Sequence, residues 1–218
     1  MPRLADHEQR RRQIAEAVWR IASARGLEDV SLRKVAAEAG VSLRLVQYYF
    51  GPRDDLLLGA LEILNADAGE SIRAGIGPEE DATPREVLRA LLVGMLPVGD
   101  ERRTRYLVHL AYFVRSLSDP GLASAFSAAP PELERLTADL LAWGRDRGEV
   151  APDLELMPEA ELLLSSVDGL QTSIILGQRT PEAAIALIDH QLARLFPIRP
   201  EAGGHGPQAV GASRPFPP

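Results

Sequence analysis

The chain has 218 residues, a formal net charge of −7, no cysteine, and 45% hydrophobic and 25% charged residues, values ordinary for a soluble globular protein with one large or two small domains. The absence of cysteine excludes disulfides, thiolate metal sites and a cysteine nucleophile, and His7, His109, His190 and His205 are too scattered for a zinc motif, so no metal, cofactor or catalytic site is expected. No apolar run approaches the ~18 residues of a membrane span and the charged N-terminus is unlike a signal peptide, so no membrane partner is expected and the protein is expected to be cytoplasmic.

The spacing predicts a first helix over residues 8–25, with Ile14, Ala17, Val18, Ile21 and Ala22 on one side. Ser31 is a good N-cap for a second, two-turn helix whose Leu32, Val35, Ala36 and Ala39 recur at intervals of three and four, and Gly40 takes the left-handed conformation that ends it. Val41 is an apolar plug and Ser42 caps again. Leu45, Val46, Tyr49 and Phe50 give the third helix its inward side, leaving Leu43, Arg44, Gln47 and Tyr48 outside. Gly51-Pro52 then starts a fourth helix, with Asp54 and Asp55 in its first turn, that runs toward Ala74.

From Pro84 on, the pattern is helical without an alternating strand segment. Helices are predicted over 84–95, 101–118, 131–148, 158–177 and 181–196, with Asp119-Pro120-Gly121 closing the second of these and a loop-like passage after it. Residues 197–218, with six Pro and four Gly and no apolar period, read as a disordered tail. The fold expected is therefore all-α, an N-terminal three-helix helix-turn-helix domain over 1–56 joined to a larger helical domain over 57–196. Charge supports two functions: residues 1–56 hold ten basic and eight acidic side chains, net +2, against −9 for the remainder.

Over 31–57 the chain resembles the DNA-binding domain of the TetR family of bacterial transcriptional regulators. The resemblance rests on Val35-Ala36 through Gly40-Val41-Ser42, then Tyr48-Tyr49-Phe50, Arg53 and Asp54-Asp55-Leu56, a run of about twenty residues without a gap. It implies a ligand-responsive regulator, most simply a repressor, that binds double-stranded DNA as a homodimer and responds to a small-molecule effector. A helical protein-interaction scaffold or small-molecule-binding protein that does not bind DNA is the alternative, and an enzyme is disfavoured because there is no cysteine nucleophile, no His near a Ser or paired carboxylate in a recognisable motif and no phosphate-loop motif.

Arg44 and Gln47 are three apart on the outer side of the third helix and are of the types that contact guanine and adenine bidentately, while Leu43 at the helix start suits a thymine methyl and Tyr48 is a further base-reading candidate. The resemblance maps phosphate contacts onto Ser31, Arg33, Ser42, Tyr49 and Arg53. Tyr48 and Tyr49 are divided between DNA and the three-helix core.

An apolar cluster with a few polar groups, Tyr106, His109, Tyr112 and Phe113 with Trp143 and Met95, is the expected effector site in the middle helices. Asp168 and Gln171 line either this pocket or a subunit seam. Two seams at bundle spacing, Leu163, Val167, Leu170 and Ile174, then Ile185, Ile188, Leu192 and Leu195, are expected to form a four-helix dimer interface. A dimer would place its recognition helices on half-sites about 34 Å apart, or a multiple of that.

Overall fold

The computed structural model describes residues 2–75, 82–126 and 130–197. Among them the chain forms ten α-helices and no strand: α1 (Pro2–Arg25), α2 (Leu32–Ala39), α3 (Leu43–Phe50), α4 (Arg53–Gly75), α5 (Pro84–Met95), α6 (Asp100–Ser116), α7 (Pro120–Phe126), α8 (Pro130–Asp146), α9 (Leu156–Ile175) and α10 (Pro181–Leu195). Of the expected tail only Pro197 falls within the described residues.

Local sequence sets the head. Ser31 accepts a hydrogen bond from the Lys34 amide at 3.3 Å and Ser42 one from the Leu45 amide at 3.2 Å, so both short helices start on a side-chain cap. Gly40, at φ 66°, ends α2 while the Val41 amide donates to the Ala36 carbonyl at 2.9 Å. α1 begins six residues before the expected position. Its opening turns carry no apolar period, and His7 rests there against Tyr49 of α3, with ring centroids 4.7 Å apart.

Two buried clusters divide the molecule. Ile14, Val18, Val35, Val46, Phe50, Leu56 and Leu61 fill the first, which extends past the head to take in Val108 and Tyr112 of α6 and Leu122 of α7. Leu88, Leu92, Leu141, Val167, Ile188 and Leu192 fill the second, between α5, α8, α9 and α10. A capping box of Thr83 and Glu86 starts α5, and Arg89 of α5 grips Asp189 of α10 at 2.6 and 3.1 Å.

Two expectations need correction. Asp119-Pro120-Gly121 opens a helix as well as closing one: the Asp119 carboxylate accepts from the Gly121 and Leu122 amides at 3.1 and 3.2 Å, which caps α7. Five residues of the two seams are packing within the subunit: Leu163, Val167, Leu170, Ile188 and Leu192 are buried in the second cluster, while Ile174, Ile185 and Leu195 pack against it and stay partly exposed. Side chains already enclosed have no surface left to bury against a second copy.

Phe50 reaches its place only because Gly59 of α4 lacks a side chain, since a Cβ there would lie 2.9 Å from two Phe50 ring atoms. Gly94, by contrast, has open space where a Cβ would go. Gly59→Ala is expected to lower unfolding stability in urea by about 1 to 3 kcal/mol through overpacking. Gly94→Ala should raise it by roughly 0.5 to 1 kcal/mol through helix propensity.

Candidate nucleic-acid interface

α3 is amphipathic in the way a groove-reading helix requires. Val46 and Phe50 are buried, and Arg44, Gln47 and Tyr48 are exposed on the other side, Tyr48 at 76%. Leu43 is half-buried and packs on the rim of the head core, so less of it projects than of Arg44. Arg33 and Ser42 are exposed, Ser31 is half-covered, and both serines already accept from backbone amides as caps. Tyr49 is half-buried between His7 and Tyr48, meeting the Tyr48 ring edge-on with centroids 5.2 Å apart.

Arg53 differs from its expected role. Its Nε donates to the Val30 carbonyl and its Nη2 to the Leu27 carbonyl, both at 2.8 Å, so its guanidinium clamps the connection between α1 and α2. Arginine suits both roles because its fork offers five donors in one plane, and here two backbone acceptors take Nε and one N–H of Nη2.

α6 ties the body to this head. The Tyr112 hydroxyl donates to the Leu57 carbonyl of α4 at 2.8 Å, and Arg115 Nη1 donates to Glu28 Oε1 at 2.9 Å in the connection that Arg53 clamps. Burial pushes the Tyr112 phenol well above its ordinary value, which keeps it a neutral donor. Tyr112 is thus a strut of the first cluster and is withdrawn from the effector set. Glu28 and Arg115 carry no sequence signal, being 87 positions apart and ordinary surface types.

The other expected effector residues separate into two groups. Met95, Tyr106, Asp168 and Gln171 converge where the end of α5 and the middle of α6 meet α9: Gln171 Nε2 donates to the Met95 carbonyl at 2.8 Å, and the Tyr106 hydroxyl lies 2.9 Å from Thr172 Oγ1, which donates to the Asp168 carbonyl at 3.1 Å. Partial burial raises the pKa of the Asp168 carboxyl. His109 and Phe113 are exposed on α6, where shielding by neighbours lowers the His109 pKa. Trp143 stands 38% exposed at the end of α8 with the Arg147 guanidinium 6.0 Å above its ring, away from that corner. A separate cleft of ≈ 520 Å³ between α1, α4 and α6, lined by Glu16, Trp19, Asp67, Asp100 and Glu101 among others, contains none of the eight.

A short helix pinned on one side, capped at its start and offering Arg, Gln and Tyr on the other, defines a helix-turn-helix transcriptional regulator. Residues 14–60 match the model for bacterial regulatory proteins of the tetR family, and residues 84–197 match that for the C-terminal domain of BetI-type transcriptional repressors. The HTH-type transcriptional regulator PksA of Bacillus subtilis is 32% identical over 172 residues, 78% of this chain and 80% of PksA. The HTH-type transcriptional regulator BetI of Brucella suis is 26% identical over 204 residues, 93% of this chain and 99% of that protein. Among solved structures, a transcriptional regulator from Rhodococcus sp. Rha1 superposes with a TM-score of 0.74 at 27% identity, covering 87% of this chain and 99% of its own. One from Saccharomonospora viridis in complex with choline has a TM-score of 0.73 at 26% identity, over 86% and 95%. The chain belongs to the TetR family of bacterial transcriptional regulators, with a C-terminal body of the BetI repressor type. It is a DNA-binding regulator, and among the described residues no helix is long and apolar enough to cross a membrane.

The clamp role of Arg53 is separable from a phosphate role by stability. Arg53→Ala leaves two partly buried carbonyls short of donors and should cost about 1 to 3 kcal/mol in chemical unfolding. A residue that only met phosphate would leave the unfolding midpoint unchanged.

Proposed function

We propose that the protein is a homodimeric repressor that sets α3 of each subunit into successive major grooves of a palindromic operator and is released by a small-molecule effector. The observation that carries this reading is the pair Arg44 and Gln47, exposed three residues apart on a helix whose opposite side, Val46 and Phe50, is locked into the head core. Arg33 and Ser42, near the ends of two adjoining helices, are the backbone-positioning groups, Tyr48 adds to base reading, and Leu43 contributes at the groove's rim. A cytoplasmic location follows from access to the chromosome.

The dimer face is the outer side of α9 and α10. On α9, Leu162, Ser165, Gly169 and Leu176 share one exposed stripe, with Leu162 at 63% and Leu176 at 64% exposure, and on α10 Ala183, Ala186 and Leu187 do the same. Large apolar side chains interspersed with small ones allow close helix approach and give a reason to associate.

The effector acts at the corner of Met95, Tyr106, Asp168 and Gln171. Asp168 is exposed with its carboxyl partly desolvated and forms no ion pair among the described residues, so a small organic cation is the chemistry it would stabilise. The Saccharomonospora neighbour is solved with one such cation, choline. Transmission runs along α6, because Tyr106 in its middle faces α9 while Tyr112 and Arg115 toward its end hold the head. An effector that favours a different position of α6 changes the spacing of the two recognition helices by its differential affinity for the two arrangements.

Two measurements test the parts separately. In a gel shift with a duplex selected by the wild-type protein, Arg44→Ala with Gln47→Ala should lose discrimination against single-base changes, each bidentate contact being worth about 1 to 3 kcal/mol, while the dimer persists in size-exclusion chromatography. Discrimination that survives both substitutions would show that α3 is not the reader. Gly169→Arg has free space within the subunit, so it should leave the fold intact in circular dichroism and shift the protein to monomer in sedimentation.

A further inference from the structure

We propose that His7 is a DNA-backbone contact at the flank of the recognition helix, one whose positive charge strengthens operator binding as the pH falls. The inference rests on the recognition-helix reading above and extends it to a residue outside the helix-turn-helix.

Three observations place His7 there. The opening turns of α1 stand beside the end of α3, where the exposed His7 imidazole packs on Tyr49 at 4.7 Å with the planes tilted by 58°. Tyr49 in turn meets Tyr48 edge-on at 5.2 Å, so three rings run in series from His7 to the most exposed aromatic of the reading helix. A helix about 10 to 12 Å across fills a major groove about 12 Å wide, and a side chain held one ring's width from that helix stands over the phosphates of the groove's rim.

Third, among the head residues whose side chains are described, few cations stand outside a contact within the protein. Arg12 pairs with Asp67 at 2.8 Å, Arg20 with Glu38 at 2.7 Å, and Lys34 and Arg25 with Asp29. Arg53 is spent on two carbonyls, and Arg11 lies 5.0 Å over the Phe50 ring. Arg33 and Arg44 are exposed and outside any ion pair among the described residues, and Arg10 bonds the neutral Gln13. With so small a set, one more positive charge per subunit is a large fraction of the electrostatic contact.

Nothing inside the protein competes for that charge on the α3 side. The titratable groups of α3 that face His7 are the phenols of Tyr48 and Tyr49, and α3 contains no carboxylate. On α1, Arg10 and Arg11 follow one turn later, and Asp6 and Glu8 flank His7 in sequence and so project to other sides of the helix. A phosphate is the counter-ion this position lacks. A phosphate beside an imidazole favours its charged form, so protonation adds a charge-assisted contact.

The test is operator affinity of the full-length protein over a salt series at pH 6 and pH 8, on a duplex selected by the wild type, with His7→Gln as the neutral variant and His7→Arg as the permanent cation. For the wild type, two added contacts per dimer should tighten binding at pH 6 by about tenfold or more. They should also steepen the slope of log affinity against log salt by about 1.8. His7→Gln should show the shallow slope at both pH values and His7→Arg the steep one at both, all three with the same circular dichroism. A His7→Gln variant that keeps the wild-type pH dependence overturns the proposal, as does a wild type with no pH dependence or a His7→Arg that stays shallow. If His7→Gln behaves as wild type and Arg44→Ala also leaves affinity untouched, the fault lies with the recognition-helix reading itself.

Discussion

The structure depends on the seating of α3. Eight residues form too short a helix to hold its shape in water, so its geometry is borrowed from what it packs on. Val46 and Phe50 supply the buried side, and Gly59 lets α4 come close enough to receive the Phe50 ring. Ser42 starts the helix and the turn at Gly40 sets its entry. Because the inward side is fully committed, Arg44 and Gln47 have only solvent, or a duplex, to face.

That seating makes α6 the natural coupling element. The head core does not end at the last helix of the helix-turn-helix, since Val108, Tyr112 and Leu122 complete it from the other part of the chain. The same α6 presents Tyr106, near its middle, to Thr172 of α9. Under the proposed function, a displacement of α6 at its contact with α9 would reach the head through Tyr112 and Arg115, without any contact between effector and DNA. The Arg115 to Glu28 ion pair and the Arg53 clamp meet in the same short connection, so the link grips the head beside the start of α2.

Local chemistry was the legible part of this fold. The caps at Ser31 and Ser42 and the left-handed Gly40 are where short-range rules place them, because each is decided within four residues. Sequence reading treated Asp119-Pro120-Gly121 as a stop, although the same three residues serve equally as the cap and first turn of α7. On α9 and α10 the period picks out the apolar side, but spacing does not tell whether a helix of the same chain already covers it, as it does at Leu163, Val167, Leu170, Ile188 and Leu192. The stripe left outside, Leu162 and Leu176 among small residues, is less apolar on average and hence less visible in a sequence. The strut at Tyr112 and the clamp at Arg53 are illegible in sequence for a related reason, since their partners, the Leu57, Leu27 and Val30 carbonyls, are backbone atoms brought in by tertiary packing.

The central claim is that Arg44 meets base edges in the major groove, and methylation interference on the selected duplex addresses it atom by atom. The account predicts that a methyl at guanine N7 in each half-site blocks wild-type binding, that the two sensitive positions lie about one helical turn or a multiple apart, and that Arg44→Ala becomes indifferent to them. Sensitivity confined to the minor groove, or an Arg44→Ala pattern identical to wild type, would contradict it.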